Sequence, residues 1–189
     1  TIHVTGKVDP IDDIETINTE LALADMASLE KRQQRLSKVA KTGDKEAIAE
    51  LAIVEKLLKL LEDGKFINVK DHFEEDELPV IKLMHLMTTK PVIYAANVSE
   101  TDLSTGNAYV EKVKEYAKTH NAEVVTISAK IEAELSELGD EEKKEYLSEL
   151  GVENSGIERM IQSVYRLLNL RTFITAGEIE VRAWTIPAG

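Results

Sequence analysis

The 189-residue sequence predicts an α/β protein in which a long antiparallel helical hairpin precedes a parallel strand, helix, strand unit. Three patterns carry that reading. Two long segments with helical apolar spacing meet at Thr42-Gly43-Asp44. Two short β-rich apolar runs flank a single amphipathic segment. Turn residues separate the pieces.

The first helix is expected from Pro10 to Thr42. Pro10 suits the first helical position, Asp9 the N-cap, and Asp12, Asp13 and Glu15 the positive end of the helix dipole. Ile14, Ile17, Leu21, Ala24, Leu29, Leu36 and Val39 supply an apolar stripe, and Gly43 a stop. At 1.5 Å per residue this helix would be about 50 Å long, more than a domain core needs, so a protruding arm is expected. Asp44 can cap a second helix, whose Ala47, Leu51, Val54, Leu58 and Leu61 match coiled-coil a and d positions. The two should pair antiparallel across the short turn.

Beyond Gly64, Asp76-Glu77-Leu78 should lead a shorter helix running to Met87. Lys90 to Ala96 reads as a strand buried in a parallel sheet, Tyr109 to Thr119 as a helix, and Glu123 to Ile127 as the next strand. That order implies a right-handed βαβ unit. An amphipathic helix should run from Ile157 through Ile161, Val164 and Leu168. Thr172 to Thr175 and Glu180 to Ile186 read as strands around a turn at Gly177.

Composition narrows the function. Hydrophobic residues make up 43% and charged residues 31%, which is globular composition. Cysteine is absent, which removes disulfides and thiolate ligands and suits a reducing cytosol. No apolar run approaches the roughly 18 residues needed to span a bilayer, so no membrane partner is expected. A net charge of −12 argues against broad polyanion binding, DNA included. The chain opens without Met and closes on Arg182-Ala183-Trp184-Thr185-Ile186-Pro187; both ends are expected to be internal to a longer polypeptide.

In open α/β sheets, ligands bind beyond the carboxyl ends of the strands. Two loops occupy that place: Asn97-Val98-Ser99-Glu100 after the first strand and Ser128-Ala129-Lys130 after the second. Alone, the first could be a surface turn or a glycosylation sequon, and the second a helix N-cap with Ser128 as the capping oxygen. As a pair they resemble the Asn-Lys-x-Asp and Ser-Ala-Lys loops of P-loop GTPases. Glu100 departs from that pattern. The GTPase aspartate accepts two hydrogen bonds from guanine in a fixed bidentate geometry, and the longer glutamate arm cannot occupy the same place. Adenine offers a ring acceptor there, so Glu100 is expected to turn away and hold the loop, which favours adenine. Val98 stands where the GTPase lysine lies over the base and can cover the ring face. Asn97 can hold a neighbouring loop or the base edge.

The wider pattern is similar to the Obg-like ATPase (YchF) family. The residues that carry the likeness are Gly6 to Pro10 leading into Asp12 to Leu21, Ala95 to Glu100, Leu167 to Phe173, and Thr175 to Gly177 through Val181 to Ile186. They cover nearly the whole chain. The resemblance implies the C-terminal half of a P-loop, G-domain-like sheet with an inserted coiled-coil arm, followed by the first strands of a TGS domain. The implied boundaries are 1–9 and 67–171 for the α/β domain, 10–66 for the arm and 172–189 for the TGS start. It further implies a slow, Mg²⁺-dependent ATPase that binds ATP, and GTP less selectively, in a ribosome-linked cytoplasmic role.

No Gly-x-x-x-x-Gly-Lys-Ser/Thr occurs. Gly6-Lys7 and Gly64-Lys65 lack the preceding glycine, so neither cradles phosphates. Phosphate and Mg²⁺ ligands are expected in an N-terminal segment outside this sequence, and the 189 residues alone are expected not to hydrolyse ATP. His3, His72, His85 and His120 lack metal-ligand spacing and are read as structural. Glu132 to Glu153, with nine carboxylates, reads as a solvated helix face. The alternative function is a helical interaction module that binds the ribosome or a protein without nucleotide. It rests on Lys31, Arg32, Arg35, Lys38, Lys41 and Lys45 near the arm's tip, a local cationic excess suited to ribosomal RNA or an acidic partner.

Overall fold

A computed structural model describes residues 8–62, 64, 66–120 and 122–188. The expectations placed on His3, Gly6, Lys7 and Lys65, and most of those on segment 1–9, lie outside the described residues. The chain divides into two compact units, Thr1–Lys90 and Pro91–Gly189.

In the first unit, helix α1 (Pro10–Ala40) and helix α2 (Lys45–Leu61) form the hairpin. Asp44 caps α2 as its position predicts, its Oδ1 accepting from the Ala47 amide at 2.9 Å. Gly43, at φ 83°, takes the left-handed turn conformation that its missing Cβ permits. Arg32 Nε donates to the Glu50 carboxylate and ties the helices across their seam.

The buried faces differ from the expected stripes. On α1 the inward residues are Asn18, Ala22, Asp25, Leu29 and Leu36, while Ile17 and Val39 are exposed. The inner face was misassigned near the N-terminus because two of its members are polar. On α2, Ile53 and Leu57 are buried beside Ala47, Val54 and Leu61, whereas Leu51 and Leu58 are only partly so. This face is wider than a two-helix seam because residues 67–86 also pack on it. Ile67, Phe73, Ile81 and Leu86 join the same apolar cluster. Lys56 donates to the His72 carbonyl and lies 4.4 Å from the centre of the Phe73 ring.

Asp25 explains its own burial. At 4% exposure, its Oδ1 accepts from the Met87 amide at 3.1 Å. Its Oδ2 accepts from the Thr88 amide at 2.8 Å and the Thr88 hydroxyl at 2.7 Å. The carboxylate thereby occupies the amides of residues 87 and 88. The helix expected to reach Met87 is correspondingly short: α3 spans Leu78–Lys82, and His85 follows at φ 55°, which no α-helix accommodates.

In the second unit, strand β1 (Ile93–Asn97) pairs in parallel with strand β2 (Glu123–Ile127), Ile93 opposite Glu123 and Asn97 opposite Ile127. Helices α4 (Asp102–Thr105) and α5 (Ala108–Thr119) connect them. The strands are less covered than expected: Val125 is buried, but Ala95 and Asn97 are exposed. Helices α6 (Ala129–Ser136), α7 (Asp140–Glu149) and α8 (Gly156–Leu167) follow. Strands β3 (Leu170–Ala176) and β4 (Val181–Pro187) form an antiparallel hairpin. Helices α5 and α8 lie against β1 and β2. The Tyr165 hydroxyl on α8 meets the hydroxyls of Thr172 and Thr185, each at 3.2 Å, so α8 also holds the β3–β4 hairpin.

The acid-rich stretch is not only a solvated face. Glu132 accepts from the Gly156 amide at 2.6 Å, and Glu134 accepts from the Tyr146 hydroxyl at 2.5 Å. Tyr146 keeps its proton more tightly as a result, its pKa pushed up to about 12 by that bond first, then by burial and the nearby carboxylates.

Candidate functional site

The parallel register puts the carboxyl ends of β1 and β2 side by side, and the two loops singled out in the sequence leave from there. The ladder extends one residue beyond the strands, with the Val98 amide donating to the Ile127 carbonyl at 2.8 Å. Between the loops lies a cleft of about 310 Å³ lined by Asn97, Val98, Ser99, Glu100, Thr101, Ser128 and Lys130. That is the lower end of the volume range of small-molecule sites.

Asn97 joins the loops. Its Oδ1 accepts from the Ala129 amide at 3.0 Å, so the residue that ends β1 satisfies a free N–H in the first turn of α6. Ser128 has the extended N-cap backbone but makes no side-chain capping bond. Its Oγ is buried, with the residue 1% exposed, and has no hydrogen-bond partner among the described residues. A buried hydroxyl without a partner costs free energy unless a ligand or water satisfies it, and this one belongs to a residue lining the cleft.

Glu100 leans across to the second loop, its Oε2 3.5 Å from Lys130 Nζ, while Lys130 also lies 3.7 Å from Glu134. Both partners are exposed enough that the pair orients side chains more than it stabilises the fold. Val98 is half-buried and packs on a cluster of Leu103, Ile131, Leu135 and Leu147 while still lining the cleft. The structure therefore brings Asn97, Val98, Glu100, Ser128 and Lys130 into one cleft, while Ala129 does not line it and its amide is taken by Asn97.

Sequence reasoning missed two lining residues and their support. The Ser99 hydroxyl lies 2.9 Å from the Thr101 hydroxyl and donates to Asp102 Oδ2 at 2.9 Å. Asp102 Oδ2 also accepts from Asn107 Nδ2 at 3.0 Å, and Asn107 Oδ1 caps α5 by accepting from the Tyr109 and Val110 amides. The signal was present: Ser-x-x-Asp followed by Asn at a helix start is local turn and cap chemistry.

His120 stacks on Tyr116 with ring centres 4.0 Å apart, and no group of three or more His, Cys, Asp or Glu that could hold a metal occurs among the described residues. These residues do not fit a Mg²⁺ ion. Of the arm cations, Lys31, Arg32, Arg35 and Lys38 lie on the distal half of α1, Lys41 follows its end and Lys45 opens α2, all in the unit that does not contain the cleft. No helix among the described residues is long and apolar enough to cross a membrane.

Taken together, these elements define a mixed α/β protein with a cleft between two strand-end loops. No protein-family model matches the chain. Individual relatives do: it is 51% identical over 189 residues to the ribosome-binding ATPase YchF of Bacillus subtilis, covering 99% of this chain and 51% of that protein. It is 48% identical over 188 residues to the ribosome-binding ATPase YchF of Escherichia coli O157:H7, covering 100% of this chain and 51% of the relative. The solved structure of the Schizosaccharomyces pombe YchF GTPase superposes with a TM-score of 0.83 at 35% identity, over 98% of this chain and 51% of that one. The chain belongs to the YchF family of Obg-like ATPases. It spans about half the length of the curated relatives it matches.

Proposed function

We propose that these residues supply base recognition and a partner-binding arm to a cytoplasmic, ribosome-associated P-loop protein that binds and hydrolyses ATP. The observation that carries this reading is the cleft: two strand-end loops fastened by the Asn97–Ala129 bond, with the Ser128 hydroxyl left for a ligand. Glu100 is held toward Lys130, which keeps its carboxylate from meeting the acceptor edge of adenine and leaves it badly placed for guanine. The names of the relatives, ribosome-binding ATPase in bacteria and GTPase in fission yeast, agree with purine nucleotide binding and a ribosomal partner.

Phosphate and Mg²⁺ contacts are assigned to sequence outside residues 1–189. The relatives are about twice as long, no phosphate-loop motif occurs here, and the acidic residues form no metal cluster among the described residues. By the same reasoning residues 10–66 are the inserted arm, 67–171 complete the G-domain-like part, and 172–189 open a TGS domain.

Calorimetric titration of the 189-residue chain with ATP and GTP tests the base site. Weak binding is expected, with ATP preferred, because only the base end of the nucleotide is held. Asn97→Ala should weaken it about tenfold by freeing the Ala129 amide and loosening both loops. Equal ATP affinity for the wild type and this variant would refute the site. ATP turnover above a buffer blank would refute the assignment of the phosphate contacts elsewhere.

A further inference from the structure

We infer that Tyr146, on α7 and outside the cleft, is a positioning residue for base selectivity: its hydroxyl occupies Glu134, so that Lys130 stays with Glu100 and keeps the Glu100 carboxylate off the base. The inference deepens the base-site reading above and rests on it.

Three elements bring these four residues together. Lys130 and Glu134 stand one turn apart on α6, a spacing at which opposite charges attract, although lysine before glutamate is the weaker order. Glu100 comes from the loop after β1. Tyr146 comes from α7, whose start is fixed where the Gly139 amide donates to Glu142 Oε2 at 2.9 Å. One turn further on, Leu147 is buried and Tyr146 is half-buried, packed on the same Leu103, Ile131 and Leu135 cluster that carries Val98.

The contacts form one chain. Glu100 Oε2 lies 3.5 Å from Lys130 Nζ, Lys130 Nζ lies 3.7 Å from Glu134 Oε1, and Glu134 Oε2 accepts from the Tyr146 hydroxyl at 2.5 Å. Lys130 is therefore shared between two carboxylates, of which only Glu100 lines the cleft. A hydroxyl that donates to a carboxylate satisfies part of its charge, so Glu134 competes for Lys130 less strongly than a bare carboxylate would. Glu100 is also among the charges that hold the Tyr146 proton, which places the tyrosine within its electrostatic reach.

Without the hydroxyl, Lys130 shifts toward Glu134 and Glu100 is released. A released carboxylate repels the ring acceptor of adenine and can accept a hydrogen bond from an N–H of guanine. Both changes favour GTP, since specificity is a difference of affinities and a repulsive element has been set free.

The test is the ratio of the GTP to the ATP dissociation constant, from calorimetric titration of the 189-residue chain. The base-site reading expects a ratio above one in the wild type. Tyr146→Phe keeps the ring and its packing and should lower the ratio about threefold, the scale of one exposed ion pair. Glu134→Gln removes the competing charge, leaves Lys130 to Glu100 and should raise the ratio about twofold. The double variant should match Glu134→Gln, because the hydroxyl then has no charge to occupy. A residue that only supported the fold would weaken ATP and GTP alike and leave the ratio unchanged.

An unchanged ratio in Tyr146→Phe, with the wild type preferring ATP, would overturn the inference and leave the base site standing. So would a ratio that stays low in the double variant. Should Tyr146→Phe lose helicity by circular dichroism, Glu134→Gln decides alone, and a ratio at or below the wild-type value refutes the role. A wild type that binds neither nucleotide, or both equally, removes the base-site reading and this inference with it.

Discussion

Replacing Asp25 by Ala should be among the most damaging single changes in the first unit, although Asp25 sits in a helix where the sequence suggests an exposed charge. The substitution removes one carboxylate that accepts three hydrogen bonds from Met87 and Thr88. Thr88 is fully buried, so its amide and hydroxyl gain no water in exchange, and its carbonyl still accepts from the Ile67 amide at 2.8 Å. Each stranded buried donor costs about 1–3 kcal/mol, and partial relaxation reduces the sum to about 3–5 kcal/mol. Amide hydrogen exchange is the assay of choice because it reads the unit locally. A loss of 3 kcal/mol corresponds to exchange about a hundredfold faster at Met87, Thr88 and Ile67. Thr88→Val, which removes only the hydroxyl, should cost about 1–2 kcal/mol, and its effect should largely vanish in an Asp25→Ala background. A destabilisation by Asp25→Ala below 1 kcal/mol would show that the carboxylate is not holding the 86–88 segment.

Three further outcomes follow from particular contacts. Gly156→Ala should cost about 1–3 kcal/mol, measured as a lower thermal midpoint, because the added Cβ would sit 2.8 Å from both Glu132 Oε1 and Ile127 Cγ2; an unchanged midpoint would mean that α8 shifts freely against β2. Tyr146 should ionise above the usual tyrosine range in an ultraviolet titration, and later than Tyr165. Its folded pKa exceeds its unfolded value, so its contribution to stability is complete below pH 10 and lost between pH 10 and about 12. In Tyr146→Phe that part of the alkaline decline should be absent. Tyr165 has the opposite sign: bonds to Thr172 and then Thr185 favour its phenolate, so it should ionise early and contribute more as pH rises. Thr172→Val should move Tyr165 back toward the usual tyrosine range.

Periodicity located most elements because their apolar faces are regular. Helix α5 begins within a residue of its predicted start, β2 has its predicted limits, and the β3–β4 hairpin forms around Gly177. Two of the failures share one cause, which is that a polar side chain was assumed to face water. Asn18 and Asp25 occupy the inner face of α1, so counting apolar residues alone rotated that face onto Ile17 and Ala24. The early end of α3 has the same origin, since the amides of residues 87 and 88 bond to a carboxylate more than sixty positions earlier. No local window contains that partner.

At the cleft the residues were legible and their division of labour was not. The motif pair located both loops, but sequence alone offered Ser128 a capping role and left Asn97 a choice of partners. The parallel register gives Asn97 its partner. With Asn97 opposite Ile127, its side chain stands one step from the first amide of α6 and accepts from it. Ser128 makes no capping bond, and its hydroxyl is buried at the cleft with no partner among the described residues. That costs some stability in the ligand-free chain. The Asn97 bond fixes the two loops relative to each other through the sheet, so a ligand that satisfies Ser128 binds a surface already formed. Ser128→Ala should therefore stabilise the ligand-free protein while weakening ATP binding, and a variant weaker in both respects would mean that Ser128 serves the fold and not the ligand.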